Sequence, residues 1–233
     1  MAEKLFLDNS YLDSCSAVVR ESGPEGIVLD RTVFYARGGG QPGDTGRLVS
    51  GNRETRIVDA VYRSDGEIVH LPADGAQLPE VGAGIDAFID WERRYDHMRM
   101  HTALHLLGVA LPYGVTGGNI TASRSRLDFD LPDSPDRNEV EEALNLLIAR
   151  DLPVTSFWIS EQELERRPEL VRTLSVRPPR GAGDIRLLEI PGLDLQPCGG
   201  THVARTGEIG EVRVTKIEKK GRRNRRVYLE FAA

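Results

Sequence analysis

A chain of 233 residues with a 39% hydrophobic fraction can bury one large core or two small ones. The net charge of −6 argues against a general nucleic-acid binder, which would be basic throughout. No apolar run approaches the roughly 20 residues needed to span a bilayer. The opening Met1-Ala2-Glu3-Lys4 carries no signal-peptide pattern, and the cysteines are only two, Cys15 and Cys198. Together these read as a reduced, cytoplasmic setting.

Residues 1–92 read as β-structure. Short apolar or alternating runs at 16–21, 26–35, 46–50, 56–63, 67–71 and 84–91 are separated by turn residues, among them Asp65-Gly66. Closely spaced short strands of this kind predict a small β-barrel. The Gly38-Gly39-Gly40 run inside them has two readings: a flexible connection, or a place where backbone N–H groups approach a ligand unobstructed.

A boundary falls near Glu92-Arg93, where strand patterning gives way to helix patterning. Residues 93–233 therefore predict a second, α+β domain. Residues 95–111 carry an apolar helical stripe ending near Pro112 and Gly114. Thr116-Gly117-Gly118-Asn119 reads as a turn before a strand at 125–130. Ser134-Pro135-Asp136 predicts a helix start with Ser as cap, and Val140, Ala143, Leu144 and Leu147 as the buried stripe. A strand at 153–159 precedes a capping box, Ser160-Glu161-Gln162-Glu163. A strand at 185–190 leads to Cys198, and residues 211–218 and 226–231 read as a hairpin.

Two motifs carry chemistry. His101 and His105 stand four apart in Arg99-Met100-His101-Thr102-Ala103-Leu104-His105, so a helix puts both imidazoles on one face. Cys198 and His202 stand four apart in Pro197-Cys198-Gly199-Gly200-Thr201-His202. Each pair alone is a weak signal. Together they predict one ion held by His101, His105, Cys198 and His202, with a thiolate and imidazole set that favours Zn²⁺ over hard cations. The residue after His101 is Thr102, not Glu, so the zinc-protease pattern and its general base are absent. His97 shares the helical face but reads as an outer or exposed residue, because one helix rarely gives three imidazoles to one tetrahedral ion.

The His101-Thr102-Ala103-Leu104-His105-Leu106-Leu107 block, the Cys198-Gly199-Gly200-Thr201-His202 block and the upstream segment from Phe34 to Gly46 stand in the order found in the alanyl-tRNA editing family. The chain resembles that family's medium-length free-standing form, AlaX. The resemblance implies a translation-factor-like barrel over residues 1–92, with its Gly-rich loop facing a zinc site, and an editing domain over 93–233. It implies hydrolysis of the ester in mischarged tRNA(Ala), with His101, His105 and Cys198 at the reacting centre.

An editing site must recognise what a synthetase pocket admits. A pocket shaped for alanine excludes glycine by only about 1–3 kcal/mol and rejects serine poorly. Polar groups that bond a serine hydroxyl are then expected, and Thr102, Asn119, Gln41 and Thr201 are the candidates, with Gly39 and Gly40 as backbone contacts. The partner is the acceptor end of tRNA(Ala) carrying a wrong amino acid. Local positive charge is available at Lys219, Lys220, Arg222 and Arg223, and at Arg93, Arg94 and Arg99. The sequence leaves the oligomeric state, the order of serine and glycine, and the role of zinc open. The ion can polarise the carbonyl, acidify water or position the substrate.

Overall fold

The computed structural model describes residues 1–171 and 183–232. The chain divides into two compact units, Met1–Tyr95 and Asp96–Ala233.

The first unit opens with β1 (Glu3–Lys4) and a single helical turn, α1 (Leu5–Asp8). Then follow β2 (Ser14–Gly23), β3 (Gly26–Leu29), β4 (Arg31–Thr32), β5 (Gly46–Ser50), β6 (Arg53–Tyr62), β7 (Ile68–Pro72) and β8 (Gly84–Ile89). Six of these strands close a barrel in the order β2-β3-β7-β6-β5-β8, while β1 pairs with β4 in parallel. Alternation explains the closure. Along β8, along β2 to Val19 and along β6 to Ile57 every second residue turns inward, and Ala17, Val19, Ile57, Ile85, Ala87 and Ile89 meet Leu29 and Leu48 in one apolar core.

Two polar clusters sit inside this unit. His70 is wholly buried: Nδ1 lies 2.9 Å from the Ile27 carbonyl and Nε2 lies 2.8 Å from the Thr32 hydroxyl. Nδ1 therefore donates and Nε2 accepts. Burial drives His70 down to about 4, against the opposing hydrogen bond to Ile27. The unfolded chain then takes up a proton that the folded chain refuses. This contribution to stability is intact above a pH of about 6.5 and is lost as pH falls toward 4, a loss of about 3 kcal/mol. Urea unfolding checks this: H70Q is expected to lose less stability than the parent on acidification. Identical pH slopes would contradict the assignment.

Arg94 is fully buried against Asp44. Its Nη1 and Nη2 also donate to the Ser10 and Val33 carbonyls at 3.0 and 2.6 Å. Asp44 in turn accepts from the Tyr35 amide at 2.7 Å. This clasp closes the base of the segment that carries Gly38-Gly39-Gly40. The glycine run is a tight reverse turn and not a flexible connection. Gly38 and Gln41 exchange N–H···O bonds of 3.1 and 2.9 Å, and Gly39 and Gly40 take φ of +56° and +84°. Two successive positive φ values define a type I′ turn, which glycine adopts without strain.

The second unit holds most of α2 (Trp91–Ala110), then β9 (Val115–Asn119), β10 (Arg124–Asp130), α3 (Arg137–Ala149), β11 (Thr155–Ile159), α4 (Glu161–Arg166), β12 (Ile185–Ile190), β13 (Asp194–Pro197), β14 (Val212–Lys219) and β15 (Asn224–Phe231). Two antiparallel sheets form, β14-β15-β10-β9 and β11-β12-β13. α3 packs on β14, where Asn145 bonds both backbone groups of Val212.

Several expectations are corrected. α2 begins at Trp91, not near residue 95: the Asp90 carbonyl accepts from the Arg94 amide at 3.1 Å, which opens the helix earlier. Met100 to Leu107 are all buried, so this stretch of α2 is enclosed on every side and carries no single stripe. The α3 cap is Asp136, whose carboxylate accepts from the Asn138 and Glu139 amides, and not Ser134. Its buried positions are Val140, Leu144 and Ile148, while Ala143 is exposed and Leu147 is half-buried. Residues 116–119 lie in strand β9, not in a turn. Gly118 pairs with Leu127 across the strands. The Ser160 capping box of α4 is present as predicted.

Candidate metal centre

α2 delivers His101 and His105 one turn apart, as their spacing predicts. The loop after β13 delivers Cys198 and His202. The four ligand atoms lie within 4.8 Å of one another. Cys198 Sγ is 3.6 Å from His101 Nε2 and 3.2 Å from His202 Nε2. Ligands of one tetrahedral zinc, with Zn–S of about 2.3 Å and Zn–N of about 2.0 Å, stand about 3.5 Å apart, so the donors fit such an ion. The three histidines are buried and Cys198 is partly buried.

The surroundings turn these atoms inward. His105 Nδ1 lies 2.8 Å from the buried carboxylate of Asp194. A carboxylate accepts only, so Nδ1 carries the proton and Nε2 is left for a metal. His202 Nδ1 lies 3.1 Å from the Thr102 hydroxyl, which itself donates to the Met98 carbonyl at 2.8 Å. The Thr102 oxygen therefore accepts from His202 Nδ1, and again Nε2 faces inward. The ligand loop is pinned by Arg186, whose guanidinium donates to the carbonyls of Cys198 and Gly200 at 3.1 and 3.0 Å.

Electrostatics prepares the same forms. Burial opposes the Cys198 thiolate, but the surrounding histidines, His101 foremost, outweigh it and hold the thiol well below its ordinary range. Burial, with His101 nearby, drives His202 down to about 3 and keeps it neutral. At His105 burial disfavours the imidazolium, yet the bonds to Asp194 and Cys198 prevail and raise it to about 10. A metal held by these residues would take His105 through a deprotonated Nε2, with the Nδ1 proton kept in its bond to Asp194.

Comparison with known proteins settles the family. A model described as the threonyl and alanyl tRNA synthetase second additional domain matches residues 185–228, and one described as tRNA synthetases class II (A) matches residues 5–93. The chain is 36% identical to an alanyl-tRNA editing protein AlaX-M of Methanosarcina acetivorans, with 98% of each chain covered. The chain belongs to the AlaX family. Its likeness to the AlaX-M of Methanosarcina mazei is 38% over 99% of this chain and 97% of that one. An AlaX-L of Pyrococcus horikoshii is 33% identical over 95% of this chain and 56% of its own length.

The other predicted site residues of this AlaX-family chain are placed as follows. Thr102 is fully buried beside the four donors, its hydroxyl bonded to His202 Nδ1 and to the Met98 carbonyl. Thr201 is fully buried beside His202 in the chain. Asn119 is exposed at the end of β9, paired with Arg126. Gly39, Gly40 and the buried Gln41 form the type I′ turn of the first unit. His97 is buried, which removes the exposed reading, and it stands outside the group of four donors.

Of the cations, Lys219, Lys220, Arg222 and Arg223 are exposed where β14 turns into β15. Arg223 pairs with Asp130 at 2.8 Å and Lys220 with Glu218 at 3.0 Å; among the described residues Lys219 and Arg222 form no ion pair. The upstream group does not form a free patch. Arg94 is buried, Arg93 donates to the Gly43 carbonyl at 2.8 Å, and Arg99 bonds the Ile209 carbonyl at 2.7 Å while lying over the Phe231 ring. Asp194, Gln196 and Arg186 were not singled out in the sequence. The first two had a signal: positions 194 and 196 share a face of β13, and Cys198 follows at the same two-residue spacing just beyond the strand.

Proposed function

We propose that the chain is a trans-editing hydrolase that deacylates mischarged tRNA(Ala). Seryl-tRNA(Ala) is its chief substrate and glycyl-tRNA(Ala) a second, and the ion at His101, His105, Cys198 and His202 is zinc. The observation that carries this reading is the convergence of one thiolate and three imidazoles within 4.8 Å, in a chain whose relatives are named alanyl-tRNA editing proteins. One thiolate with three nitrogens is a zinc set, unsuited to hard cations. When bound, the ion supplies Lewis acidity for attack of water on the aminoacyl ester.

The chain's own residues supply the frame. Asp194 and Thr102 orient two ligand rings, and Arg186 fixes the loop that carries Cys198. Thr201 and Asn119 are proposed substrate contacts of residues 93–233, the editing domain. Gly39, Gly40 and Gln41 are those proposed for residues 1–92, the barrel domain. A reduced cytoplasm suits a thiolate ligand.

The deciding experiment is a side-by-side deacylation of seryl-, glycyl- and alanyl-tRNA(Ala). Rapid loss of the seryl ester with the alanyl ester spared is expected. Binding of tRNA without turnover would make the chain a zinc-stabilised RNA-binding module. Turnover of small free esters alone would make it a general metallohydrolase.

The cations without ion pairs should carry the acceptor stem. K219A and R222A are expected to weaken tRNA(Ala) binding and to lower the slope of log affinity against log salt by about 1 each. An unchanged slope in both variants would remove the hairpin from the tRNA surface.

A further inference from the structure

We propose that Asp194 is a positioning residue of the metal centre: it holds the Nδ1 proton of His105 and so commits Nε2 of that ring to the ion. The inference rests on reading the four-donor cluster as a metal site. Three observations carry it. The Asp194 side chain is fully buried, and its Oδ2 stands 2.8 Å from His105 Nδ1. The same oxygen accepts from Gln196 Nε2 at 2.8 Å, so ring and amide both donate to one carboxylate oxygen and hold it in place. Asp194 opens β13, and the loop that follows the strand delivers Cys198. One short segment thus supplies both a ligand and the partner that orients a ligand on α2.

The chemistry separates Asp194 from Thr102, which plays the parallel part at His202. Thr102 is neutral and only orients its ring. Asp194 also brings negative charge next to the site. A divalent cation with one thiolate keeps one positive charge, and a buried carboxylate one ring away offsets it. Carboxylate, histidine and metal in line raise the basicity of the ligand nitrogen as well as fixing its tautomer.

The test uses full-length protein loaded with zinc, in the parent and in D194N, D194A and Q196A. A chromophoric chelator competes for the metal, and long-range ¹H–¹⁵N spectra report the His105 tautomer. D194N keeps the shape and removes the charge. It is expected to weaken zinc binding about 10–100-fold and to shift the His105 Nδ1–H resonance upfield, as a charged acceptor becomes a neutral one. D194A should weaken zinc at least as much, and Q196A less than D194N. If D194A does not fold, the near-isosteric D194N carries the test. Zinc affinity and the His105 Nδ1–H resonance both unchanged in D194N would overturn the proposal while leaving the metal centre standing. A parent that binds no zinc would overturn both.

Discussion

Replacing Cys198 by alanine is expected to strip the metal from the protein and to abolish hydrolysis of seryl-tRNA(Ala). Cys198 is the one anionic donor of the cluster, and its sulfur lies within 3.6 Å of two ligand nitrogens. Its loss leaves three neutral imidazoles facing a divalent ion. Affinity should drop by more than the roughly 10–100-fold typical of an outer partner, because a ligand and its charge go together. H105A should behave alike and would also leave Asp194 buried without its ring partner. Metal stoichiometry by mass spectrometry and single-turnover deacylation are read on the same preparations. Loss of metal with full activity would make the ion structural. Retained metal would place the ligand elsewhere.

The second large effect lies in the first unit. D44A is expected to destabilise it by about 3–5 kcal/mol, since Arg94 would keep a buried charge without its carboxylate. The double variant D44A/R94M removes both charges and should recover part of that loss, although the Ser10 and Val33 carbonyls then lose their donors. Urea unfolding measures both. A cost below about 1 kcal/mol for D44A would mean that the pair is poorly coupled to the fold.

What was legible in the sequence follows from the range of the forces involved. Barrel strands such as β8 and the first part of β2 show their inward faces as simple alternation, which a linear reading recovers. The four donors were legible because few residue types bind zinc and they recur at four-residue spacing. The α3 cap was misplaced because Ser134 and Asp136 both offer a capping oxygen, and only the chain's path decides between them. Gly117-Gly118 suggested a turn, yet pairing with β10 overrides that preference. Arg94 reads as a surface cation until Asp44, fifty residues earlier, is folded against it. The turn at Gly39-Gly40 has both readings in sequence, and only its two crossed hydrogen bonds show it to be tight.

X-ray absorption at the zinc edge on the loaded full-length protein tests most directly whether these four side chains share one ion. The account predicts a first coordination sphere with one sulfur at about 2.3 Å and imidazole nitrogens at about 2.0–2.1 Å, with the sulfur absent in C198A. A sphere of oxygen donors alone, or one whose sulfur survives in C198A, would contradict it.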